Sequence, residues 1–173
     1  IGDMVARGMD MVGRDGVISV DESQATETEI VLTEGMEFDK GYLSPSFITD
    51  YEAARAELEN PYILLHRNKL SSLPTLLPLL EKVVETKRPL LIIAEDVEGE
   101  ALAALAMNAV RKTLRVVAVK APFFGDRRVS FMHDMAAVTG ATVVDPDTGV
   151  NLAEAGIELS LIHISEPTRL RRI

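Results

Sequence analysis

The chain has no cysteine among its 173 residues, so no disulfide framework can hold it together. That absence fits a reducing compartment, and a cytoplasmic location is expected. Positive charge is also short: 18 Lys and Arg stand against 27 Asp and Glu, a net charge of −9. Phosphate backbones are held by clustered Lys and Arg, so no nucleic-acid partner is expected. No apolar run approaches the roughly 18–20 residues that cross a bilayer, and no signal peptide opens the chain, so no membrane partner is expected either. The chain begins at Ile1, without an initiator Met and already in helical periodicity, and so reads as a fragment. The motifs G-x-G-x-x-G, G-x-x-x-x-G-K-[ST], H-E-x-x-H and G-x-S-x-G are all missing. His66, His133 and His163 are scattered without metal-ligand spacing and read as incidental. No catalytic constellation is visible.

What is present is ordinary globular composition, 47% hydrophobic and 26% charged, in a chain long enough to bury a substantial core. Ile1, Met4, Val5, Met9 and Val12 recur at helical spacing, with Gly13 and Asp15-Gly16 as the stop. Val17–Val20 reads as a short strand, Asp21–Thr28 as a polar linker and Glu29–Met36 as a second strand. Phe38–Tyr51 is an aromatic-bearing loop with Gly41 and Pro45. From Pro61 the rhythm is regular. Strands are predicted at Tyr62–His66, Leu90–Ala94, Val116–Val119 and Thr142–Val144, and helices at Thr75–Lys87, Glu100–Lys112 and Asp126–Val138. This alternation predicts an α/β fold with a mostly parallel, helix-flanked sheet.

Two of the helices carry more apolar surface than a core stripe needs. On a wheel of about 100° per residue, Leu79, Leu80 and Val83 cluster around Leu76, while Leu77 and Val84 fall well to one side. Pro78 is tolerable if that helix starts near Thr75. The next helix sets Ala101, Ala103, Ala104, Ala106 and Ala109 beside Leu102, Leu105, Met107 and Val110. Small side chains admit a close backbone and Met adapts to varied shapes. Both helices could be sunk in a larger core, or they could form an apolar groove for peptides, walled by Tyr42 and Phe47. Between strand and helix lie Glu95, Asp96, Glu98 and Glu100. Such acids cap a helix and complement its dipole; the alternative is a Mg²⁺-dependent phosphoryl-handling enzyme using Asp96. Gly125-Asp126-Arg127-Arg128 enters a helix with Asp126 as its expected N-cap.

Glu34 to Pro45, Pro89 to Leu102, Val119 to Pro122 and Phe124 to Arg128 closely resemble the group I chaperonins, the GroEL family, in long stretches nearly free of gaps. The resemblance runs from about Ile1 to Glu158. It implies a partial, small α+β intermediate domain over 1–33 and a truncated apical domain over 34–158. It further implies that non-native polypeptides and a cochaperonin bind a groove formed by Tyr42, Phe47, Leu77, Leu80, Leu102, Ala106, Met107 and Asn108. No catalytic, cofactor or metal residues are implied within this segment, which on its own is expected to be a monomer and not an enzyme. ATP, Mg²⁺ and the seven-membered ring belong to the full-length family and its equatorial domain. Departures from the family pattern are Ser46 for an aromatic, Ala106-Met107 for two valines, Phe123 for Gly and Val129 for Lys. Leu159–Arg169 departs altogether. It matches one reading frame of a transposon-derived sequencing adapter, so Ser160–Ile173 is set aside from the fold as an assembly artefact.

Overall fold

The computed structural model describes residues 2–12, 36, 38–148, 152 and 168–171. The chain divides into two compact units, Ile1–Met36 and Glu37–Ile173. In the first, helix α1 spans Gly2–Val12, as its periodicity predicts, with Val5 and Met9 exposed one turn apart. The expected strand at Val17–Val20 and the linker after it lie outside the described residues, as does the expected strand at Glu29–Met36 apart from Met36 itself.

The second unit is built on a four-stranded parallel sheet. Its strands are β2 (Tyr62–His66), β3 (Leu90–Ala94), β4 (Val116–Lys120) and β5 (Val143–Val144), in the order β4-β3-β2-β5. Every residue of β2 and β3 is buried, as unbroken apolar runs in a sheet covered on both faces require. Register follows from this: Tyr62 stands beside Leu90 and Leu90 beside Val116, continuing to Ala94 beside Lys120. Helices α2 (Leu73–Thr86), α3 (Gly99–Val110) and α4 (Gly125–Thr139) form the crossovers. The chain steps from β2 through β3 to β4 in one direction, then returns across the sheet to β5. Right-handed crossovers therefore place α2 and α3 on one face and α4 on the other. Among the described residues, no helix is long and apolar enough to cross a membrane.

Local starts and stops differ from expectation in instructive ways. Helix α2 begins at Leu73, so Pro74 takes an early position and Pro78 lies inside the helix, not in its first turn. It closes at Lys87, whose left-handed backbone lets its N–H donate to Val84 O. For α4 the cap is Phe124, with no side-chain bond, and the expected cap Asp126 sits in the first turn instead. Gly140, at φ 69°, ends α4 in a conformation that a residue without Cβ adopts freely.

Two strands form where the sequence predicts none. β1 (Arg55–Leu58) pairs antiparallel with β6 (Thr168–Arg171), Arg55 facing Arg171 and Leu58 facing Thr168. β6 lies in the tail that the sequence sets aside from the fold. The pairing is a ladder of main-chain bonds, and such an edge accepts extended backbone without asking for a particular sequence.

Candidate functional site

Burial along α2 follows the helical wheel. Leu76, Leu79, Leu80 and Val83 are buried, whereas Leu77 and Val84, two turns apart, are 43% and 44% exposed. Helix α3 packs beside α2 and buries only Ala101 and Leu105. On its outer side Ala103, Met107 and Val110 recur at i, i+4 and i+7, with Met107 53% and Val110 63% exposed. Two neighbouring helices thus each present an apolar ridge. Large side chains left half in water on adjacent elements mark a surface built to be covered.

The remaining expected groove positions fall into separate environments. Leu102 and Ala106 are half-buried and pack against the core. Asn108 is committed locally: its Nδ2 donates to Ala104 O at 2.8 Å and its Oδ1 accepts from Thr113 Oγ1 at 2.8 Å, which ties off the end of α3. Leu80 belongs to the core at 6% exposure. Tyr42 and Phe47 are also buried, so the loop supplies a floor and not a solvent-facing wall. Tyr42 forms a bridge to Val119 at the sheet edge, and its hydroxyl donates to Ala54 O at 3.1 Å. Phe47 lies in a short 3-10 turn, Pro45–Phe47, that packs on α3. Val84, which the wheel already sets beside Leu77, and Val110 extend both ridges beyond the expected groove positions. The helical spacing of Val110 from Met107 is the signal that could have found it.

The comparisons with known proteins bear on the same segment. No protein-family model matches the chain. Over 159 residues, 92% of its length, it is 62% identical to chaperonin GroEL 1 of Corynebacterium efficiens. Against the proteins of the same name from Corynebacterium glutamicum and Mycobacterium leprae, identity is 63% and 57% over the same length. The chain belongs to the GroEL family. It spans about 30% of the length of the curated relatives it matches.

Within this GroEL-family segment three of the four acids after β3 are spent on ion pairs. Glu95 meets Arg128 at 3.1 Å, Asp96 meets Lys120 at 2.8 Å and Glu98 lies 3.9 Å from Lys69. The Lys120 ammonium holds the Asp96 carboxyl below the usual carboxylate range, helped by the Val97 N–H that Asp96 Oδ1 accepts at 2.9 Å. The expected capping is only partly realised. Glu98 occupies the N-cap of α3, yet its side chain makes no cap bond. The Ser71 carbonyl takes the Ala101 N–H at 3.2 Å, so a neighbouring segment satisfies part of the first turn. Among the described residues, no group of three His, Asp or Glu could hold a metal ion. His133 is exposed and His163 lies outside the described residues, but His66 is a buried core histidine.

The expected departure at Phe123 has a backbone consequence. Phe123 sits at φ 65°, a conformation costly for any residue with a Cβ and natural for glycine. Its ring recovers part of that cost. It meets Phe131 edge-on at 5.4 Å, and Phe131 in turn meets Phe38 at 5.9 Å. The Arg127 guanidinium lies 4.2 Å from the Phe123 ring centre. Phe123→Ala keeps the strain and loses the ring contacts. Phe123→Gly loses the same contacts but relieves the backbone, so it is expected to be the more stable of the two by about 1 kcal/mol. Urea midpoints of both variants measure the difference, and equal midpoints would show that φ carries no strain.

Proposed function

We propose that this chain is the polypeptide-binding module of a GroEL-family chaperonin, holding exposed apolar segments of non-native proteins along the α2–α3 surface. Residues 34–158 serve as its apical domain and residues 1–33 as part of its intermediate domain. The observation that carries this reading is the pair of ridges, Leu77 with Val84 on α2 and Met107 with Val110 on α3. Fully burying such a side chain contributes about 1.5–3 kcal/mol, and each is already about half covered. Their gross gain is several kcal/mol, part of which is lost in ordering the client. A micromolar affinity, about −8 kcal/mol, is expected.

A cochaperonin competes for the same ridges, because both ligands need the same apolar surface. Binding at this surface requires no ATP. Nucleotide and Mg²⁺ belong to the equatorial domain, and with them hydrolysis and assembly into the seven-membered ring. The module by itself is a cytoplasmic monomer without enzymatic activity.

Leu77→Glu and Met107→Glu place a carboxylate where a client must dock, and that charge has to be desolvated at each binding event. Either change is expected to weaken binding of a fluorescently labelled apolar peptide by about tenfold or more, equivalent to 1.4 kcal/mol. Circular dichroism and melting would remain close to wild type. Folded variants with undiminished binding would remove the ridges from the function.

A further inference from the structure

At the amino-terminal edge of the sheet, Glu59, Asn60, Lys87, Arg88, Pro89 and Arg115 line an open cavity of about 460 Å³. We infer that this cavity is a binding site for a compact anion carrying two or more phosphate groups. Its cations come from different connections: Lys87 and Arg88 link α2 to β3, and Arg115 precedes β4. Main-chain bonds at the strand starts set their spacing. Tyr62 N–H donates to Pro89 O at 2.8 Å and Leu90 N–H to Arg115 O at 2.8 Å.

Arg88 is held in place before any ligand arrives. Its Nε and Nη2 donate to the Asn60 carbonyl at 3.2 and 2.9 Å, and its guanidinium lies 4.4 Å from the centre of the buried Tyr62 ring. Cations that merely complement the end of α2 would need no such clamp. The guanidinium has five N–H donors, and those left over from Asn60 have no other partner among the described residues. Lys40, Arg55, Arg67, Lys69, Lys120 and Arg128 are each paired with a carboxylate. None of the described ion pairs includes Lys87, Arg88 or Arg115, and Glu59 is the cavity's single acid.

The chemistry of the lining selects the ligand class. Arginine forks match phosphate oxygens in bidentate pairs, and a lysine adds a point charge. A volume of this size suits a small molecule. A long polyanion would also meet the field of a chain with net charge −9, so a compact ligand is favoured over nucleic acid.

Inorganic tripolyphosphate is the probe, titrated calorimetrically into the full 173-residue chain at fixed ionic strength, with sulfate and a poly-glutamate peptide as comparisons. Saturable binding with one site per chain is expected for tripolyphosphate. Arg115→Gln, which touches no described hydrogen bond through its side chain, should weaken it by about tenfold, and Arg88→Gln by at least as much. Apolar-peptide binding should be unchanged in both, so failure here leaves the ridge reading untouched. Binding that is equal in wild type and Arg115→Gln, absent in both, or as tight for poly-glutamate would overturn the assignment.

Discussion

Leu80→Glu is expected to unfold the second unit at room temperature, while Leu77→Glu, three residues away on the same helix, leaves it folded. Leu80 lies at 6% exposure on the face of α2 that also buries Leu76, Leu79 and Val83. Losing that burial costs about 1.5–3 kcal/mol, and forcing a carboxylate into the space adds several more. Small domains hold only about 5–15 kcal/mol in total, so the sum removes much or all of the stability. Leu77 lies at the edge of that face, about 60° round the wheel from Leu80, and at 43% exposure its carboxylate variant reaches water. Its cost should be under about 1 kcal/mol. Chemical denaturation followed by far-ultraviolet circular dichroism separates the outcomes. Similar losses for both variants would mean that the surplus apolar arc is core after all. Leu80 was expected among the groove positions, and any loss of peptide binding in its variant would come from unfolding.

Acidification should destabilise the fold through His66 well before the carboxylates titrate. Desolvation lowers the His66 pKa, opposed by the Asn68 carbonyl 2.8 Å from Nδ1 and by the charge of Asp145. The unfolded chain takes up a proton near pH 6.5 while the folded chain still refuses it. Stability is therefore fully present above that value and falls as pH drops through it, at no more than about 1.4 kcal/mol per pH unit. Asp96 acts in a separate and lower window: its pKa is depressed, so its contribution holds above the normal carboxylate value and is lost below it. Urea midpoints between about pH 7.5 and 5.5 should slope downward in the wild type and flatten in His66→Phe, whatever that variant's absolute stability. A slope unchanged by the substitution would assign the effect to another group.

Much of this architecture was legible because burial leaves a periodic trace. β3 is an unbroken apolar run, β2 and β4 are apolar up to their last residues, His66 and Lys120, and the helical wheel of α2 sets Leu77 and Val84 apart from the core stripe. β1 was not legible. Arg55 to Leu58 alternates charge with small and apolar residues over only one short run, and its partner strand lies far along the chain. Tyr42 and Phe47 are ambiguous for a different reason. An aromatic in a loop can wall a groove or plug a core, and only the tertiary bridge of Tyr42 to Val119 decides between them. The start of α3 falls within one residue of its expected place, but its capping was not legible, since the Ser71 carbonyl that serves Ala101 comes from another loop. The cation-lined cavity is invisible in sequence because its residues sit in separate connections that meet only when the strands align.

The division of helices between the two sheet faces also has a practical side. Since the chain contains no thiol, one cysteine introduced at an exposed α4 position such as Val138 would be the sole attachment point for a maleimide dye. The dye would ride on the face opposite α2 and α3, separated from the ridges by the full thickness of the sheet. Its anisotropy would then report the increased tumbling mass when a client binds, while the surface under test carries no label at all.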